Sequence, residues 1–108
     1  MFRERMKGNL DLLVLAVLVA APAHGYEIAE RLRHRSDGAF DLPEGTIYPA
    51  LHRLEARGWV TSSWEQAGGR KRRVYALTGS GHRQMAAQRR EWVAFTAGMA
   101  AVLGMEPA

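Results

Sequence analysis

At 108 residues the chain has room for one hydrophobic core and not two. Its 47% hydrophobic and 24% charged residues exclude a disordered chain. The net charge of +4 is concentrated: residues 51–75 hold six Lys/Arg against two Asp/Glu, whereas residues 1–50 hold six against seven. That is the footprint of an anionic partner rather than a uniformly basic surface.

There is no cysteine, so disulfides, thiolate metal sites and cysteine nucleophiles are all removed, and a reducing, cytoplasmic setting fits. The run Leu12–Ala21 is ten apolar residues followed by Ala21-Pro22-Ala23, which has the outline of an export signal. It is too short to span a membrane. Glu4 and Asp11 interrupt the charge pattern that a signal needs, so a buried helix is the reading taken.

That first helix is expected from Leu10 to about Ala21, with Asn9 as its cap and Pro22 as its stop. Being apolar nearly all round, it should be buried on more than one side. His24-Gly25-Tyr26-Glu27-Ile28 opens a second helix to about Arg35. Ile28 and Leu32 form its buried stripe, and Arg31, Arg33 and Arg35 point outward. After a turn at Ser36-Asp37-Gly38, a third helix starts near Pro43 and ends at Gly58, with Ile47, Leu51 and Leu54 on its core face. Pro49 inside it removes one backbone hydrogen bond and predicts a local bend.

Two strands follow, about Trp59–Glu65 and Lys71–Leu77, reversed by Ala67-Gly68-Gly69. Thr78 caps a last helix reaching about Leu103. The expected fold is therefore mainly α with a small β hairpin: a winged helix-turn-helix over residues 1–77 and a C-terminal dimerisation helix over 78–108.

The third helix offers Thr46, Tyr48, Pro49, His52 and Arg53 on its outer side, with hydroxyls and a guanidinium suited to phosphate or base edges. The hairpin tip carries Arg70, Lys71, Arg72 and Arg73, four mutually repelling cations that an anion lying across them would relieve. Arg70 to Arg72 are assigned to the phosphate backbone, and Arg73, next to the strand proper, is left open. In the last helix Met85, Trp92 and Met99 are seven apart, and Phe95 and Val102 fill the positions three residues after the latter two. This is a dimer-type seam that Gln88 interrupts. His24, His34, His52 and His82 have no metal-ligand spacing, and no catalytic arrangement appears, so neither cofactor nor metal nor enzyme activity is expected. Arg3, Arg5 and Lys7 could reach DNA as an arm, although solvated termini are the plainer reading.

The chain resembles the PadR family of bacterial transcriptional regulators, in particular its short members. The resemblance is carried by His24-Gly25-Tyr26-Glu27-Ile28, Gly45-Thr46-Ile47-Tyr48-Pro49-Ala50-Leu51 and Arg53-Leu54-Glu55. Gly58, the Gly-Gly-Arg turn at 68–70, Tyr75-Ala76-Leu77-Thr78 and Gly81 complete it. It implies a homodimer that binds double-stranded DNA at an inverted-repeat operator, usually as a repressor, with the last helix making the dimer. It also implies a small aromatic effector at the dimer interface, where Trp92 matches the stacking position. The competing class is a protein-interaction module that keeps the winged-helix fold without operator binding.

Overall fold

The computed structural model describes residues 9–105. The proposed arm at Arg3, Arg5 and Lys7 lies outside them. In chain order the elements are α1 (Leu10–Leu18), α2 (Gly25–Arg35), α3 (Glu44–Ala56), β1 (Val60–Ala67), β2 (Arg70–Leu77) and α4 (Gly79–Leu103). Three helices followed by a hairpin form a winged helix-turn-helix, and α4 closes the chain.

The apolar run becomes the centre of the core. Val14, Leu15, Val17 and Leu18 of α1 are buried, and the helix touches α2, α3, α4 and β2. Ile28 and Leu32 of α2, Ile47, Leu51 and Leu54 of α3, and Val60 and Tyr75 of the hairpin meet it there. Two details differ from expectation. The helix ends at Leu18, three residues early, and Asn9 makes no side-chain capping bond. The early end has a cause in α2. Arg31 folds back, and its Nη1 donates to the carbonyls of Val17 (3.2 Å) and Ala21 (2.8 Å). A guanidinium thus satisfies carbonyls that the helix end leaves open. Arg35 reaches Ala16 in the same sense, at 3.5 Å. Of the three arginines expected to point outward, only Arg33 bonds solely within its own helix, to Glu30.

His24 caps α2 through a reciprocal pair: its Nδ1 accepts from the Glu27 N–H, and the Glu27 carboxylate accepts from the His24 N–H. The next helix, α3, runs unbroken through Pro49, without the interruption that proline invites. Its N-cap is Pro43, and the missing bond falls on Gly45, which is exposed.

The strands are longer than expected and pair over all eight residues, from Val60 opposite Leu77 to Ala67 opposite Arg70. Gly68 and Gly69 both have positive φ (59° and 78°), the turn whose twist suits a two-residue hairpin. A pairing that sequence reading did not anticipate adds a third rung. Ala23 exchanges both backbone hydrogen bonds with Tyr75 (3.0 and 2.8 Å) and stitches the hairpin to the start of α2. Thr78 caps α4 by accepting from the Gly81 N–H at 3.0 Å and donates to the Gly58 carbonyl at 2.7 Å. Gly81 lies so close to the Trp59 carbonyl that no side chain would fit there. These bonds fix the direction in which α4 leaves the domain.

Candidate nucleic-acid interface

On α3 the core residues Ile47, Ala50, Leu51 and Leu54 leave Gly45, Thr46, Pro49, His52, Arg53 and Ala56 exposed. Helical spacing therefore gathers Thr46, Pro49 and Arg53 on one outward stripe. Tyr48 lies off that stripe and is half-buried. Its ring stands where a Gly25 side chain would be, and its hydroxyl donates to Glu44 Oε2 at 3.2 Å. Burial first, and then the Glu44 carboxylate, raise its pKa above the ordinary tyrosine value.

Strand alternation divides the hairpin cations. Arg73 shares a face with buried Tyr75 and is braced: its Nε donates to Ser62 Oγ at 2.9 Å, Glu55 of α3 is 3.9 Å away, and its guanidinium lies 5.2 Å from the Trp64 ring centroid. Arg72, on the other face, brings Nη1 to 3.0 Å from His24 Nε2. The same Nε2 lies 3.1 Å from Glu27 Oε1. Arg70 and Lys71 at the tip are exposed and reach no acceptor among the described residues.

Between the hairpin and the helices runs an open groove of about 620 Å³. Arg70 to Arg73, Tyr26, Tyr48 and His52 line it, with exposed Trp64 among them. Sequence reading missed Trp64 and Tyr26. The signal was available for Trp64, because a two-residue turn at Gly68-Gly69 sets the register that puts it opposite Arg73.

Arg53 is placed differently from expectation. Its Nη2 donates to Asp11 Oδ1 of α1 at 2.8 Å, and Arg57 Nη1 lies 3.7 Å from Oδ2 of the same carboxylate. Its pKa is raised, chiefly by that hydrogen bond.

The seam residues of α4 separate into two groups. Met85 is half-buried against this chain's own core. From Arg89 to Met99 every residue is exposed, including Trp92, Phe95 and Met99, as is Val102 beyond. The Trp92 and Phe95 rings sit 5.2 Å apart at 30°. They border a groove of about 580 Å³ between α4 and the start of α1, which Leu12 and Gln88 also line. Among the described residues no group of His, Asp or Glu could hold a metal ion, and no helix is long and apolar enough to cross a membrane.

A family profile described as the transcriptional regulator PadR-like family matches residues 14–87. The transcriptional regulator Rv3488 of Mycobacterium tuberculosis is 35% identical over 89 residues, covering 82% of this chain and 79% of that protein. A PadR family transcription regulator from Clostridium difficile R20291 superposes with a TM-score of 0.77 at 34% identity, over 86% of this chain and 96% of that one. The fold also matches Bacillus subtilis PadR, solved in complex with operator DNA. The TM-score there is 0.67 at 24% identity, over 77% of this chain and 47% of that one.

Proposed function

The chain belongs to the PadR-like family of transcriptional regulators, and from that premise we propose that it is a cytoplasmic, homodimeric repressor of an inverted-repeat operator. Members of the family regulate transcription rather than catalyse reactions. The observation that carries the DNA reading is the pair of exposed tip cations, Arg70 and Lys71. They reach no acceptor among the described residues and share an open groove with Tyr48 and His52 of α3. The Bacillus subtilis relative, of the same fold, was solved on operator DNA.

In this reading Arg70, Lys71 and Arg72 grip phosphates and set position, while Thr46, Tyr48, Pro49 and Arg53 of α3 meet the major groove. Tyr48 contributes from the groove wall rather than from the stripe. In the free protein Arg53 is engaged by Asp11 through one of the five N–H donors of its guanidinium. Trp92, Phe95, Met99 and Val102 form the dimer seam, and Met85 anchors its base to the domain. The groove at Trp92 takes a flat aromatic effector, which stacks on the exposed indole and releases the operator.

Selection of bound sites from a random duplex library tests the proposal. The expected result is a palindromic consensus whose half-sites lie one helical turn, or a multiple of it, apart. Recovery of no enriched sequence, together with no salt-dependent affinity for random duplex, would assign the fold to protein interaction instead.

A further inference from the structure

Asp11 stands in the first turn of α1, where an acidic residue ordinarily serves the helix dipole. Its surroundings give it a second task. One carboxylate oxygen takes the Arg53 N–H at 2.8 Å, and the other lies 3.7 Å from Arg57. These two arginines are one helical turn apart at the end of α3, and Arg53 shares its outward stripe with Thr46 and Pro49. The carboxylate itself is only 22% exposed, against 48% and 54% for the two guanidinium side chains. A fixed, largely covered anion therefore holds two more exposed cations from a helix 42 positions away in sequence. A carboxylate between two arginines presents the charge and the acceptor oxygens of a backbone phosphate.

We propose that Asp11 is a specificity-determining residue that acts on DNA through Arg53 and Arg57 and does not touch DNA itself. The proposal rests on the DNA-binding reading above. In the free protein Asp11 neutralises the cations of α3 and leaves the tip of the wing to supply the general attraction. A duplex gains Arg53 only where its groove places an acceptor well enough to displace the carboxylate. A random duplex does not, so Asp11 selectively lowers non-specific affinity. The tip of the wing lacks such a device, since Arg70 and Lys71 have no carboxylate partner among the described residues.

The test compares wild type with Asp11→Asn, which keeps the shape and removes the charge, on a random-sequence duplex across a salt series. Freeing two cations should steepen the slope of log affinity against log salt by about 1 to 2, at about 0.9 per phosphate engaged. Affinity for random duplex should rise roughly tenfold at fixed low salt. Asp11→Glu should restore the wild-type slope, and adding Arg53→Ala to Asp11→Asn should remove most of the gain. Ion pairs with exposed partners contribute little to stability, so the Asn variant is expected to fold. Should it not, Asp11→Ser is read by the same criteria. A folded neutral variant with wild-type slope and affinity overturns the proposal while leaving the DNA reading intact. A wild type without salt-dependent binding overturns both.

Discussion

At the scale of single residues, Tyr48 and Tyr75 show how side chains chosen for packing acquire electrostatic consequences. Both hydroxyls have pKa values raised first by burial, with Glu44 adding to the effect on Tyr48 and Glu55 on Tyr75, where Arg73 opposes it. A raised folded value means that the folded state prefers the neutral phenol. The stabilisation is thus complete below the unfolded tyrosine value of about 10 and is lost as pH climbs through the folded values above it. Urea unfolding at about pH 9 and about pH 11 should show wild type losing stability, and Tyr48→Phe/Tyr75→Phe losing clearly less. Equal losses in the two proteins would assign the alkaline sensitivity to other groups. Part of this was legible in the sequence and part was not. Glu44 and Tyr48 are one helical turn apart, so their hydrogen bond follows from spacing. The wedge of Tyr48 over Gly25 and the Asp11–Arg53 pair join different helices, and no local pattern encodes them. Residue type alone therefore placed Tyr48 and Arg53 on a free outer face, while tertiary packing gave each a partner.

At the scale of elements, periodicity carried most of the fold. The Ile47, Leu51 and Leu54 stripe located α3, and the two glycines at 68 and 69 located the hairpin. Element ends were less legible because side chains from elsewhere set them, as Arg31 does for α1. The wing illustrates a signal present but unused. Its strict alternation sends Arg73 to the face of Tyr75 and separates it from Arg72, which four consecutive cations in a row conceal. A functional consequence follows from that division. Arg70→Ala/Lys71→Ala/Arg72→Ala should weaken operator and random duplex alike and flatten the salt slope by about 0.9 for each phosphate no longer neutralised. Arg73→Ala should act mainly on stability, because it removes the brace to Ser62, Glu55 and Trp64. A triple variant with an unchanged slope would remove the wing from the DNA-binding surface.

At the scale of the whole molecule, the shape itself asks for a partner. The chain measures 54 × 29 × 21 Å with a radius of gyration of 15.1 Å, against about 13 Å for a compact domain of this length. The excess is α4, whose 25 residues extend about 37 Å at 1.5 Å per residue, past the core it starts on. Trp92, Phe95, Met99 and Val102 alternate in steps of three and four along its free half, with Val93 and Leu103 at the flanks. So short a seam does not hold a coiled coil alone, and the complement proposed for it is a second α4 together with the half-buried Leu12 side of a second α1. If two copies pair this way, unfolding is linked to association, and Tm must rise with protein concentration. Phe95→Asp should place a charge in the seam, give a monomer in sedimentation velocity at micromolar concentration, and make Tm lower and independent of concentration. Arg90→Ala, on the opposite side of the helix, should leave both readings as in wild type. A wild type that sediments as a monomer under those conditions would leave this apolar face without its proposed partner. A two-fold symmetric operator would then lose its physical basis.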